Sequence, residues 1–292
     1  MIIRLINPRG RIIDIDEKTG LHKELLKKGF VLFTGEAGIT YLPSKDHGEK
    51  EKPGVFEPSV KPVQSLIIEK AGGIVVYTAI TAGHDTLKEE QVTDGAQFFV
   101  FTDGDFRSKT WKVLGTTNLF RSPRRTARYH KVLSHLFFPD AQYTVWMDGT
   151  MTLKAPIKEI IDSFPKEAQI ITSPHQERDC LYGEAKVCMD LDLDNPAIIE
   201  KQVKQYKKEG YPEHAGLAET KIVIRKNTPQ VEQFNKEWFY QLFTGSKRDQ
   251  ISFNYVAWKV GIEVYYFKES VRKSKLFGFQ KHIKERDETK YL

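Results

Sequence analysis

The chain has 292 residues, of which 40% are hydrophobic, 12% aromatic and 29% charged. That balance fits one large domain or two ordinary ones around a real core, and it excludes a collagen-like fibre. With only Cys180 and Cys188 there is neither a disulfide framework nor a four-cysteine zinc site. The 45 Lys and Arg against 39 Asp and Glu leave a net charge of +6, which favours an anionic partner.

In chain order, Ile2–Ile6 and Arg11–Ile15 flank Asn7-Pro-Arg-Gly10, two β-prone runs around a turn that predict a hairpin. Leu21, Leu25 and Leu26 share a helical face, with Gly29 as a C-cap. Residues 1–42 therefore read as a small ββα unit. Residues 43–65 read as a linker, punctuated by Pro43, Pro53, Pro58 and Pro62. The opening residues are too short an apolar stretch for a signal peptide. No apolar run approaches the roughly 20 residues that span a bilayer. A cytoplasmic setting is the expectation.

From residue 66 to 292 the pattern changes. Ile74–Ile80 and Gln97–Thr102 are continuous apolar runs, as expected of strands buried on both faces. Tyr143–Met147, Ile170–Ser173, Lys221–Arg225 and Ile262–Phe267 are further strand candidates. Helical patterns lie between them at Arg124–Leu136, Ile157–Phe164, Pro196–Glu209, Gln230–Phe243 and Gln250–Val260. Alternating strands and helices predict an α/β fold with a mostly parallel sheet sandwiched by helices. Ligands of such sheets sit at the carboxyl ends of the strands.

Those ends are polar. Ile80 leads into Thr81-Ala-Gly-His-Asp85, Thr102 into Asp103-Gly-Asp105, and Met147 into Asp148-Gly-Thr150. Small residues let a ligand approach the backbone, and carboxylates can hold ribose hydroxyls or a divalent cation. Each Asp-Gly alone is also a common turn. Asp103-Gly-Asp105 and Asp148-Gly-Thr150 compete for a metal, and spacing does not choose between them.

From Phe106 to Pro139 there is no acidic residue, while Arg107, Lys109, Lys112, Arg121, Arg124, Arg125, Arg128 and Lys131 all fall there. A second basic stretch runs from Lys268 to Lys290. His175 is a ligand contact, a base or a surface histidine. Asp249 opens a predicted helix, where a carboxylate is either a cap or a group aimed into a cleft.

Seven segments in order carry a resemblance: Tyr77–Asp85, Phe99–Asp103, Arg125–Lys131, Tyr143–Gly149, His175–Arg178, Gly216–Glu219 and Arg248–Phe253. From about Ile74 to Phe267 the chain resembles the glycosyltransferase-like domain found in bacteria and in plant mucilage-synthesis proteins. The resemblance implies a GT-A-like, Rossmann-like fold that binds a nucleotide-diphosphate sugar, usually with Mn²⁺ or Mg²⁺. It aligns Asp103 near the nucleoside and Asp148 with the DxD-like metal position. Two departures stand out: His84 where an aromatic residue is expected, and Thr150 in place of the second carboxylate.

On that basis the expected activity is sugar transfer to the hydroxyl of a glycan or a modified nucleic acid. Asp148, with a cation, would hold the diphosphate, and His282 is a second candidate metal ligand. Arg125, Arg128 and Lys131 would supply fixed positive charge. Thr78, Ala79 and Asp103 would line the nucleoside pocket. Asp85, Arg178 and Gln250 complete the donor-binding set. Asp249 would act as base or anionic stabiliser, with His175 and Glu219 orienting sugar or acceptor. Two rival readings remain: an amide hydrolase of ceramidase type, and a non-catalytic nucleic-acid-binding protein using Trp111, Phe120 and Tyr129 among the basic residues.

Overall fold

The computed structural model describes residues 71–83, 85–116 and 122–279, together with the backbone of four strands within the first forty residues. The chain divides into two compact units, Met1–Ile67 and Ile68–Leu292. In the first, β1 (Ile2–Ile6) and β2 (Ile12–Asp16) form the expected antiparallel hairpin. β3 (Val31–Phe33) and β4 (Ile39–Thr40) extend it to a sheet ordered β2-β1-β3-β4. The predicted helix over 21–29 and the linker over 43–65 lie outside the described residues.

The second unit is built on a seven-stranded sheet. Its strands are β5 (Gly73–Ile80), β6 (Ala96–Thr102), β7 (Lys112–Gly115), β8 (Ala141–Met147), β10 (Ile170–Pro174), β11 (Ala218–Lys226) and β12 (Val264–Tyr266), in the order β12-β10-β11-β8-β5-β6-β7. All run parallel except β11, which is antiparallel to both its neighbours. The N-terminal end of β11 therefore lies at the same edge as the carboxyl ends of the others. β9 (Met151–Leu153) pairs with β13 (Phe277–Phe279) as a separate ribbon just after Asp148-Gly149-Thr150.

Three helices begin with one sequence device. Ser122, Asn195 and Thr228 each accept a backbone N–H, and each precedes a proline at the first helical position. The side chain satisfies an orphan donor, and proline needs none there. These open α1 (Pro123–Val132), α5 (Pro196–Lys208) and α6 (Pro229–Thr244). The remaining helices are α2 (Ser134–Phe137), α3 (Ile157–Asp162), α4 (Leu181–Asp190) and α7 (Asp249–Val260).

Alternation along the strands divides the core in two. Ile74, Val76, Ile80, Met147, Ile222 and Ile224 pack with Ile157 and Ile160 of α3 and with Phe277. Tyr77, Phe99 and Phe101 face the other way, against Phe137, Phe138 and His130. Arg225, fully buried on β11, donates to the Lys131 carbonyl (2.6 Å), the Val132 carbonyl (2.8 Å) and Asn235 Oδ1 (2.5 Å), and also to the Tyr77 hydroxyl. A cation at a helix C-terminus is stabilised by the dipole and by the unpaired carbonyls. This explains a departure from the sequence pattern. The helix expected to run unbroken from Arg124 to Leu136 stops at Val132, because Arg225 holds the two carbonyls that the next turn would have used.

Truncating Arg225 would strand those groups and open a cavity. Arg225→Ala is expected to cost about 4 kcal/mol, against less than about 0.5 for the exposed Lys204→Ala, as measured by denaturant unfolding. Acid should also destabilise the fold. Burial pulls His130 down to about 3 and His135 down to about 4. The unfolded chain takes up protons below about pH 6.5 while the folded one does not, so stability falls as pH drops from there towards 3. His130→Leu is expected to flatten that limb. An unchanged slope would show that His130 is not the buried titrating group.

Candidate active site

The site is built from the edge where the parallel strands end. After β5 the chain turns through Ala82 (φ 54°) and Gly83 (φ 60°). The Ala82 N–H donates to both oxygens of Asp103, at 2.8 and 3.1 Å, tying the ends of β5 and β6 together. Thr81 Oγ1 donates to the Pro123 carbonyl, fastening the start of α1 to the same edge. Asp103 is exposed beside this turn, Ala79 is half-buried, and Thr78 Oγ1 is buried without a hydrogen-bond partner.

Asp148 stands at the tip of β8. Its backbone N–H donates to the Lys221 carbonyl, and its Oδ1 accepts from the Trp146 indole at 2.8 Å. Gly149 allows close packing there, since a Cβ would come within 3.2 Å of Ile80 and 3.5 Å of the Asp85 Cβ. Asp85 therefore sits against the Asp148-Gly149 turn. Thr150 is buried, and its Oγ1 has no partner.

Asp249 is the most buried of these carboxylates, with a side chain 6% exposed. It is not a cap. Arg248 takes the N-cap position without a side-chain bond, and Asp249, one residue later, turns towards α1. Its Oδ2 accepts from Lys131 Nζ at 2.7 Å and Thr220 Oγ1 at 2.9 Å, and lies 3.1 Å from Arg128 Nη1. Burial alone would raise its pKa. Arg128 and Lys131, with Arg248 behind them, overcome that and hold it well below the usual carboxylate range. Lys131 Nζ also donates to the Thr220 carbonyl at 2.7 Å and lies 3.7 Å from Asp148 Oδ1. One ammonium thus stands between the two carboxylates.

Thr220 reaches this cluster because the β10–β11 register shifts between Thr172 and Ser173. Regular alternation would have put Thr220 on the face of Ile222. The irregularity re-aims it at Asp249, a known use of β-bulges beside sites.

The other expected residues lie apart from this cluster. Arg125 stands over the Phe243 ring at 5.6 Å and feels Asp194, so it does not join Arg128 and Lys131. A step of three residues turns a helix about 300°, so Arg125 and Lys131 are about 120° apart. Glu219 binds Arg272 (2.8 Å) and Ser270 (3.2 Å). His175 Nδ1 accepts from the Glu177 and Arg178 backbone N–H groups, and burial lowers its pKa, so it is a neutral clip for the loop. Arg178 donates to the buried Glu184 at 2.8 Å. Gln250 Nε2 donates to the Ala218 carbonyl. His84 and His282 lie outside the described residues. Among the sequence candidates, Asp148, Asp249, Arg128 and Lys131 are brought together, with Asp85 against the Asp148 turn and Asp103 at the next strand end. Trp146, Thr220 and Arg248 complete the cluster and were not singled out by pattern.

The basic stretch is not one surface. Arg107, Lys109 and Lys112 are exposed, whereas Lys131 is buried. Trp111 and Tyr129 are buried core rings, so neither can stack on a base, and Phe120 lies outside the described residues. Among the described residues there is no group of three or more His, Cys, Asp or Glu side chains able to hold a metal by themselves. No described helix is long and apolar enough to cross a membrane.

Comparison with known proteins places this arrangement. The probable hexosyltransferase MUCI70 of Arabidopsis thaliana is 28% identical over 225 residues, covering 67% of this chain and 39% of that protein. The alkaline ceramidase TOD1 of the same plant is 21% identical over 221 residues, covering 63% of this chain and 48% of that one. The chain thus spans less than half the length of these relatives. Among solved structures, the bifunctional glycosyltransferase WbbM aligns with a TM-score of 0.41 at 11% identity, over 68% of this chain and 39% of that one. Mouse xyloside xylosyltransferase 1 aligns with a TM-score of 0.39 at 10% identity, over 67% and 85%. The model of the TOD1/MUCI70 glycosyltransferase-like domain matches residues 100–282, a span holding Asp103, the cations of α1, Asp148 and Asp249, and the chain belongs to that family.

Proposed function

We propose that the chain transfers a sugar from a nucleotide-diphosphate donor to an acceptor hydroxyl. The observation that carries this reading is the shared ammonium of Lys131, which joins Asp148 on β8 to Asp249 on α7 at the ligand-binding edge of the sheet. Cleaving the bond from the sugar to the diphosphate needs an environment fixed in advance for the departing charge. Arg128, Lys131 and Arg248 stand around Asp249 and supply positive charge fixed in place beside Asp148. Arg128, 22% exposed at its side chain, is a cation that solvent and ligand can reach.

The donor set suits a hard divalent cation. Asp148 and the adjacent Asp85 offer oxygen ligands, and Mg²⁺ or Mn²⁺ on a diphosphate needs only one or two carboxylates, with phosphate and water completing the shell. When bound, such a cation would neutralise the leaving diphosphate. The nucleoside would sit over Ala79 and Asp103 at the β5–β6 turn. Asp249, buried and held ionised between cations, suits electrostatic support better than proton abstraction. The acceptor would lie on the side of β10 and β11, where Glu219, buried and bound to Arg272, and His175, clipped to its own loop, support the wall rather than touch it. A glycan acceptor fits better than a nucleic acid, because Trp111 and Tyr129, the described rings named in the basic stretch, are core. Two buried free thiols, Cys180 and Cys188, suit the reducing cytoplasm.

The amide-hydrolase reading has less behind it. The relative named as a ceramidase is the more distant of the two. Zinc-type activation of water needs three protein ligands, and no such group occurs among the described residues.

Two outcomes test the proposal. A nucleoside diphosphate at 100 times its dissociation constant should add about 2.7 kcal/mol of stability, seen as a raised melting temperature in a screen of UDP and GDP with and without Mn²⁺. No shift with any nucleotide would remove the donor. Asp148→Asn should lower sugar transfer at least about 100-fold with little change in melting temperature, because the amide oxygen can still accept from the Trp146 indole. Unchanged turnover would take Asp148 out of the site.

A further inference from the structure

Lys131 is the one cation of the cluster with no exposed surface to offer a ligand: its side chain is 1% exposed. Its ammonium is enclosed by Asp249 Oδ2, the Thr220 carbonyl and Thr220 Oγ1 at 3.2 Å. It also lies 5.3 Å from the centre of the Trp146 ring. Trp146 in turn donates its indole N–H to Asp148 Oδ1, the same oxygen that faces Lys131. Two neighbours thus constrain one carboxylate oxygen of Asp148, one by a hydrogen bond and one by charge.

We propose that Lys131 is a positioning residue for Asp148, and that it acts through the shared Asp148 oxygen and the Trp146 ring rather than by touching the donor. This rests on the transferase reading for its consequence, but not for its geometry. Asp249 anchors the ammonium. The ammonium fixes the Asp148 carboxylate and the indole as a unit. The Asp148 oxygen turned away from Lys131 is then the one presented to the diphosphate and its cation. Partners that orient a ligating carboxylate typically change affinity or activity 10–100-fold when lost.

Lys131→Met alone would take from buried Asp249 its shortest ion pair and is liable to unfold. The informative comparison is Asp249→Asn, which keeps the Lys131 side chain beside Asp148, with Lys131→Met/Asp249→Asn, which removes it without leaving Asp249 as an uncompensated buried charge. ¹⁵N spectra give a readout independent of any nucleotide. The chain has four tryptophans, and Trp146→Phe assigns the relevant indole. In Asp249→Asn the Trp146 indole proton should keep its slow exchange. In the double variant it should exchange at least about tenfold faster, and affinity for UDP or GDP with Mn²⁺ should fall roughly tenfold or more relative to Asp249→Asn.

Identical indole exchange and nucleotide affinity in the two variants would overturn the proposal and leave Lys131 a mere counter-ion to Asp249. Faster indole exchange in a protein whose wild type binds neither nucleotide would uphold the role of Lys131 and sink the donor reading instead. Faster exchange with unchanged nucleotide affinity would also overturn it, because Asp148 would then have moved without effect on the ligand.

Discussion

Asp249 can be buried as an ion only because Lys131 and Arg128 meet it. Moving a carboxylate out of water costs several kcal/mol, and attraction offsets this only with close geometry and satisfied hydrogen bonds. Both conditions hold at Oδ2, which takes an ammonium, a hydroxyl and a guanidinium. The three partners come from α1 and β11, and Asp249 itself from α7, so a single charge cluster fixes how two helices meet the sheet. A cluster of this kind is weak evidence for stability and stronger evidence for a defined arrangement.

The rest of the unit holds α1 for that purpose. Thr81 fastens its first turn to the end of β5, and Arg225 takes the carbonyls of its last turn. Between these points, Arg128 and Lys131 have little freedom. Charges that need no rearrangement during reaction are worth more than mobile ones. The register shift in β11 serves the same end, because it turns Thr220 out of the apolar face and into the cluster. Stability and site chemistry therefore share residues, and Lys131 belongs to both.

How much of this is legible in the sequence follows from what each feature depends on. β5, β6 and β8 are buried on both faces, so their apolar β-branched runs announce them. The Ser-Pro, Asn-Pro and Thr-Pro pairs mark three helix starts. α4 carries no such mark: Cys180 gives no side-chain cap, and Gly183 breaks the pattern. β7, β9 and β13 are three or four residues long, too short for periodicity to register. The end of α1 at Val132 depends on Arg225, 93 residues away, and local pattern cannot contain that. At the site, Asp148 and Asp249 are visible as carboxylates at element ends. The role of Asp249 is not, because a cap and a buried ion pair begin with the same residue. Arg125, Arg128 and Lys131 recur every third residue, but that spacing drifts around the helix and carries Arg125 away from the other two. Thr220 and Trp146 look like ordinary strand residues until pairing places them.

The central claim is that the tips of β5, β6 and β8 and the ends of α1 and α7 form one binding edge for a diphosphate. The most direct measurement is an amide ¹H–¹⁵N titration of the protein with UDP and GDP in the presence of Mn²⁺. The account predicts that Ala82, Asp103, Asp148, Thr220 and Asp249 shift together along one binding curve. Shifts confined to exposed lysines such as Lys109 and Lys204, with those five unmoved, would contradict it.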